Sequence, residues 1–321
     1  MNPTIGWQRL QDVYYCLRPC YEDLPWPLKD IQANHTVRLL PEATLVAVAS
    51  SKVAHPSVID IYTAAGLRVA AVAYNSTASE YIAGFAFHKE NLVVVLSSGS
   101  FRYYQDFEGN FSEHHLSENV VVLKSDGTME DTSELTPAQS TYITNLETQE
   151  LEKVDEILLV DVFENYLVVR LQSSFQVVNL SNFNNYLVFI PFDGFHCFNV
   201  FSTGSVDNKT DEKLSLLIAS NFTISVLDID FFANLYTHVD QGLTDGPFKL
   251  VCVSPNGRFV ALFNPLASKI FVINAQFDQV LLEYDTASEV PYSVAWCGND
   301  AIILLLRDEF RLIGPSQQLI S

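Results

Sequence analysis

The chain is 321 residues long and 48% apolar, with 22 Phe and 14 Tyr, which suits a large buried core and excludes disorder as its overall state. Its 38 Asp and Glu against 18 Lys and Arg give a net charge of −20, which argues against nucleic acid or anionic lipid as a direct partner, since both require basic stripes that displace counterions. The longest apolar runs, Leu92 to Leu96 and Ala301 to Leu306, fall far short of the ~20 residues that cross a bilayer, so no direct membrane insertion is expected.

The first segment, Trp7 to Tyr21, spaces Trp7, Leu10, Val13, Tyr14 and Leu17 at helical intervals and stops at Pro19, which predicts one amphipathic helix. Its polar face lacks the Lys and Arg of an interfacial helix, so docking onto the rest of the protein is expected rather than membrane attachment. Pro25 and Pro27 around Trp26 then make an extended connector, and residues 1–33 form a helix-and-connector ahead of the main domain at 34–321. Trp7, Arg9 and Asp12 stand where a secretory signal would place a basic end and an apolar stretch, so no secretory signal is expected. The five cysteines, at 16, 20, 197, 252 and 297, make no disulfide framework, which predicts a reducing, cytoplasmic setting. The Asn-x-Ser/Thr triplets at Asn34, Asn75, Asn110, Asn179, Asn208 and Asn221 then mark turns rather than glycans.

From about His35 onward the pattern becomes period two or short apolar runs between turn formers. Runs centred on Ile59, Phe101, Phe175, Phe222, Ile270 and Phe310 are separated by 42, 74, 47, 48 and 40 residues. All but one step match the ~40–45 residues of a four-stranded propeller blade. Leu45 to Ala49 with Val58 to Tyr62 opens the first blade. Phe85 to Phe87, Leu92 to Leu96 and Phe101 to Tyr104 outline the second, with Gly99 and Gly109 at its turns. An acidic insertion over about 113–156 explains the long step. Its part from Asp126 to Glu156 holds nine acidic residues and Lys153, and reads as a solvated loop, or more sharply as a dock for a basic peptide.

Ile157 to Val162, Leu167 to Leu171 and Phe175 to Leu180 make the third blade, and Leu214 to Ser220 with Thr223 to Ile229 the fourth. In the fifth, Phe248 to Val253 leads into Ser254-Pro255-Asn256-Gly257, where proline presets the turn and Asn-Gly accepts the positive φ that follows. Tyr292 to Trp296, Ile302 to Leu306 and Phe310 to Ile313 begin a sixth blade that stops near its third strand, so about six blades are expected with the last incomplete, a form that leaves a sheet edge unpaired.

Chemistry is sparse, and no catalytic, cofactor-binding or metal site is predicted. Gly-x-Ser-x-Gly and phosphate-loop patterns are missing. His114 and His115 are neighbours whose side chains point apart on an extended backbone, and read as solvated loop residues. Cys16 and Cys20 lack a second pair to complete a zinc site and read as small core thiols. Asp228 and Asp230 could present two carboxylates on one side of a strand, yet a strand running into a turn gives the same pattern. Cys297 beside Trp296 has no nearby cation to activate it.

Two strings are more specific. Asn2-Pro3-x-x-x-Trp7-x-x-Leu10-x-Asp12-Val13-Tyr14-Tyr15, with Trp26-Pro27, stands at one end; Trp296-Cys297-Gly298-Asn299-Asp300 and Asp308-Glu309-Phe310-x-Leu312-x-Gly314-Pro315 stand at the other. Together they resemble subunit sixteen of the class C vacuolar protein sorting core, over the whole chain. The resemblance implies a seven-bladed N-terminal β-propeller and a non-enzymatic subunit of the HOPS and CORVET tethering complexes, cytoplasmic and peripheral on late endosome and vacuole or lysosome membranes. It implies other HOPS/CORVET subunits as partners and a Sec1/Munc18-type subunit held by an α-solenoid that this sequence lacks, with SNAREs and Rab GTPases engaged indirectly. No binding residue is carried over. The competing expectations are a stand-alone WD-type propeller that reads a peptide and, further off, a propeller hydrolase or lyase.

Overall fold

Short runs rich in Val, Ile, Phe and Tyr between tight turns pair with their nearest neighbours in sequence, and the computed structural model is accordingly all-β, a propeller fold with, among the described residues, six successive antiparallel sheets and one four-residue helix. It describes residues 7–10, 13–16, 26–28, 31–40, 44–126, 156–172, 174–189, 195–201, 213–220, 223–243, 246–307, 309–314 and 319–320. The chain divides into two compact units, one of Cys20–Pro191 and one of Met1–Pro19 with Phe192–Ser321.

The expected N-terminal helix is replaced by a hairpin. Strands β1 (Trp7–Leu10) and β2 (Val13–Cys16) pair with Trp7 opposite Cys16 and Leu10 opposite Val13. A spacing of three across a two-residue link puts apolar residues opposite one another, just as it aligns them on a helix, and Val13, Tyr14 and Tyr15 favour extended backbone. Leu17, Pro19, Cys20 and Tyr21 lie outside the described residues. The one helix among the described residues, α1 (Ile31–Asn34), leads directly into the first sheet.

In the Cys20–Pro191 unit, the first sheet is β3 (His35–Leu39), β4 (Leu45–Ser50), β5 (Val58–Thr63) and β6 (Arg68–Ala73). The second is β7 (Ile82–His88), β8 (Asn91–Leu96), β9 (Ser100–Tyr104) and β10 (Phe111–His115). Short strands β11 (Val120–Val122) and β12 (Lys124–Ser125) follow, and the third sheet is β13 (Leu159–Phe163), β14 (Tyr166–Arg170), β15 (Ser174–Asn179) and β16 (Asn184–Phe189). The first strand of each sheet lies beside that of the next, β7 touching both β3 and β13, as propeller blades require. β8 is buried along almost its whole length because neighbouring blades cover both its faces, which is why its sequence is a continuous apolar run rather than an alternating one.

Two devices join these blades. Gly84 sits at a register shift in β7, where a Cβ would lie 2.6 Å from Cγ2 of Val160. β11 pairs parallel with the outer edge of β16, Val120 opposite Asn185 and Val122 opposite Leu187, giving the third sheet a fifth strand. Glu113, His114 and His115 belong to β10, so the acidic insertion does not begin at 113; most of it, residues 127–155, lies outside the described residues.

In the other unit, the fourth sheet is β17 (Phe195–Phe201), β18 (Lys213–Ser220), β19 (Ile224–Asp230) and β20 (Leu235–Asp240). The fifth is β21 (Leu250–Val253), β22 (Phe259–Asn264), β23 (Lys269–Asn274) and β24 (Val280–Asp285). The sixth is β25 (Ser293–Cys297), β26 (Ala301–Leu305), β27 (Phe310–Ile313) and β28 (Leu319–Ile320). β21 lies beside both β17 and β25. The sixth sheet thus has its fourth strand, Leu319 pairing with Ile313 and Ile320 with Leu312; two residues are too short a run to read from sequence.

A phenylalanine in the turn from third to fourth strand recurs. Phe107 packs into the core shared by the first two blades, Phe183 into that of the second and third, and Phe277 into that of the fourth and fifth. Each side chain thereby staples its own blade to the preceding one.

Polar groups in this core are pre-arranged for the neutral state. His88, 4% exposed, holds Nδ1 2.8 Å from the Tyr103 hydroxyl and Nε2 3.2 Å from Asn165 Oδ1, and the Asn91 amide donates to the same Tyr103 oxygen at 2.7 Å. Tyr103 O–H can then donate to Nδ1 only while the ring is neutral, and burial holds the His88 pKa below 6.5. Burial likewise lowers His114 and His238. The unfolded chain binds more protons at these sites, so stability should fall as pH drops below about 6.5. Asp161, raised by burial, opposes them, whereas Glu80, Asp106 and Asp240, lowered by hydrogen bonds, act only below the ordinary carboxylate range. Urea midpoints should be lower at pH 5.5 than at pH 7.5; a flat or rising profile would contradict the buried neutral imidazoles.

Candidate binding site

The Ser254-Pro255-Asn256-Gly257 turn builds one wall of a seam between the fifth and sixth blades. Ser254 is buried, its Oγ accepts from the Phe259 N–H at 3.0 Å and donates to Asn256 Oδ1 at 2.7 Å, and Gly257 closes the turn with φ +67°. This leaves the Asn256 backbone N–H facing the neighbouring blade, where it donates to Asn299 Oδ1 at 3.0 Å. Deeper in, the Trp296 indole N–H donates to the Cys252 carbonyl at 3.0 Å. Two hydrogen bonds from the Trp296-Cys297-Gly298-Asn299-Asp300 string therefore lock the blades together.

Between them lies a cavity of about 180 Å³, far above the ~10–15 Å³ that one water needs. Val272, Leu282, Ile302 and Ile313 line it, Phe259 and Trp296 add two rings with centroids 6.2 Å apart, and exposed Asn299 and Asp300 stand at the rim. Gly314, from the second C-terminal string, is part of the same wall. The chain's first string meets this region too: Tyr15 packs against Cys297, Ala301, Ile303 and Leu312, and its pKa is raised by burial and then by the Asp300 carboxylate. Trp26 is placed elsewhere, over Tyr62 and the turn at Gly66, whose φ of +84° strains any L side chain and whose Cβ would crowd Trp26 Cγ at 3.2 Å.

The side chains singled out for chemistry are occupied structurally. Asp228 accepts from Ser215 directly across the ladder, and Asp230 accepts from the Ala233 N–H at 2.9 Å. His114 and His115 are strand residues of β10 rather than loop histidines, the first half-buried and the second exposed. His114 stacks on Phe183 with centroids 3.7 Å apart, while His115 bonds Ser100 Oγ at 2.9 Å, so they diverge as expected of neighbours on a strand. Burial pushes the Cys252 thiol up to about 11, which leaves it protonated and unreactive. Cys297 is half-buried beside Tyr15. Among the described residues no three His, Cys, Asp or Glu side chains are grouped as metal ligands would be, and no helix is long and apolar enough to cross a membrane.

A family model described as "Vps16, N-terminal region" matches residues 3–321. The "Probable vacuolar protein sorting-associated protein 16 homolog" of Schizosaccharomyces pombe is 29% identical over 130 residues, 39% of this chain and 15% of that protein. "Protein VACUOLELESS1" of Arabidopsis thaliana is 32% identical over 77 residues, 24% of this chain and 9% of that protein; "Vacuolar protein sorting-associated protein 16" of Saccharomyces cerevisiae is 29% identical over 117 residues, 34% and 14%. The matches thus span a small part of these relatives' lengths. Among solved structures, Hsv2 of Kluyveromyces lactis superposes with a TM-score of 0.54 at 11% identity, over 88% of this chain and 73% of that one. The β-propeller domain of Cps50 (Swd1) from Myceliophteria thermophila does so at 0.52 and 10%, over 85% and 80%. At such identities the likeness speaks for the fold alone.

Proposed function

The chain belongs to the Vps16 N-terminal-region family, and from that membership we propose that it is a non-catalytic scaffold subunit of a vacuolar protein sorting complex. The family match over residues 3–321 carries the reading. The occupied state of the candidate acid–base pair supports it: Asp228 and Asp230 accept hydrogen bonds within their own sheet, and His88 and Cys252 likewise serve packing and hydrogen bonding.

In its finer form the proposal places the chain in the HOPS and CORVET tethering complexes, which bring late endosomes and vacuoles or lysosomes together before fusion. Other class C subunits are its direct partners. The Sec1/Munc18-type subunit belongs to the solenoid of the whole subunit, and SNAREs and Rab GTPases are reached through the assembly. With a net charge of −20, attraction to anionic membranes is unfavourable and recruitment is through partners. Size-exclusion chromatography tests this: the chain should co-elute with reconstituted class C subunits and give crosslinks to them. The chain alone should not float with phosphatidylserine-containing vesicles at physiological salt. Failure to co-elute, or robust vesicle binding by the chain alone, would overturn it.

A further inference from the structure

We propose that the seam between the fifth and sixth blades is a receptor for a lysine or arginine side chain presented by an extended segment of a partner protein. The inference goes beyond the scaffold reading and rests on the seam alone.

The first argument is the mismatch between the seam's walls and its rim. Val272, Leu282, Ile302 and Ile313 make an apolar slot, which suits the methylene stem of a long side chain. Phe259 and Trp296 in the same wall offer ring quadrupoles to a cation, and tryptophan is the most favourable aromatic for that contact. Asp300 supplies a full negative charge at the mouth.

The second argument is that Asp300 is the exception among its neighbours. In the fifth and sixth sheets, Asp278 accepts from Asn274, Glu283 pairs with Lys269, Asp285 accepts from the Ala287 N–H, and Glu289 and Glu309 pair with Arg311. Among the described residues Asp300 has no hydrogen-bond or ion-pair partner, and no Lys or Arg lines the cavity. A carboxylate left unpaired beside an aromatic, apolar slot calls for a cation with a hydrocarbon stem. The acidic excess of the chain adds a field that draws such a ligand in.

The third argument says why the cation comes on an extended segment. Among the described residues β24 is an edge strand, hydrogen-bonded only to β23, and it contributes Leu281, 37% exposed, to the cavity wall beside Val280, 54% exposed. β16 shows that an outer edge of this fold accepts a further parallel strand. A partner segment laid along β24 would pair with its free backbone and drop alternate side chains towards the seam.

The chain has three tryptophans, Trp7, Trp26 and Trp296, so 5-fluorotryptophan labelling gives three 19F resonances, with that of Trp296 assigned by W296F. The probes are acetyl-Leu-Arg-Val-amide, acetyl-Leu-Lys-Val-amide and acetyl-Leu-Gln-Val-amide. The two cationic peptides should shift the Trp296 resonance saturably while Trp26 stays put, and the glutamine peptide should bind about tenfold more weakly. Asp300→Asn should weaken the cationic peptides by about tenfold and leave the glutamine peptide unchanged. Asp300 is exposed and bonds nothing among the described residues, so the variant should fold, and its Trp7 and Trp26 resonances check that it does. Equal binding of the glutamine peptide, binding undiminished in D300N, or no saturable shift up to about 10 mM would each overturn the proposal. None of these outcomes alters co-elution with class C subunits, so the two readings fail separately.

Discussion

Gly84→Val should cost about 3 kcal/mol or more, a large part of the ~5–15 kcal/mol that holds a domain of ordinary stability together. The Cβ alone would lie 2.6 Å from Val160 Cγ2 and 2.7 Å from Val160 Cβ, well inside the ~3.5–4.0 Å at which carbon atoms attract. Neither partner can swing clear. The Cβ is fixed by the backbone, and Val160 is 2% exposed and β-branched, with little choice of rotamer. β7 and β13 must therefore part, and the core running from Val93 through Leu167 to Leu187 loses contact along the seam. The urea midpoint should fall with little change in slope. Gly84→Ala should be milder, and adding Val160→Ala to it should recover stability in a double-mutant cycle. A Gly84→Val midpoint within about 0.5 kcal/mol of the parent would show that the two blades do not meet here.

Asn185→Leu should destabilise by about 2–3 kcal/mol, because leucine matches the volume and removes the donors. The Asn185 amide, 1% exposed, donates to the carbonyls of Leu116 at 2.9 Å, Glu118 at 3.2 Å and His115 at 3.3 Å, and the fully buried Gln176 amide also donates to Leu116. These bonds hold the turn after β10 so that β11 is delivered to the edge of β16. Without them the Leu116 carbonyl keeps only Gln176, that of His115 keeps only the Glu118 N–H, that of Glu118 loses its amide donor, and the added strand loosens. Hydrogen exchange should report the loosening at Leu123, whose N–H donates to the Leu187 carbonyl at 2.9 Å, before it reaches the amides of β14 and β15. Uniform acceleration across the third sheet would instead mean that β11 and the sheet open together.

The blades were legible because a strand buried on both faces must be written as an apolar run, and Leu92–Leu96, Leu167–Val169 and Leu216–Ala219 are such runs. The Ser254 to Gly257 turn was legible because only particular residues accept its dihedrals. The N-terminal hairpin was not, since Trp7, Leu10 and Val13 satisfy a helix and a short hairpin equally well. β28 escaped because two residues carry no period. The seam was half visible: the string from Trp296 to Asp300 and the Ser254 turn each stood out, yet nothing in either says that an indole N–H and an asparagine oxygen of one reach backbone groups of the other. The stapling phenylalanines had a signal, an aromatic in otherwise mostly polar turns at Phe107, Phe183 and Phe277, and it becomes meaningful only once the strands are aligned.

The parallel strand β11 sets an order of events during synthesis. Val120 leaves the ribosome 65 residues ahead of Asn185, the residue it must lie against, and at ~5–20 residues per second that is an interval of roughly 3–13 s. Throughout it the nascent polypeptide carries a Val-Val-Val stretch with no template to zip onto, which makes this the natural point for a chaperone to engage the emerging protein.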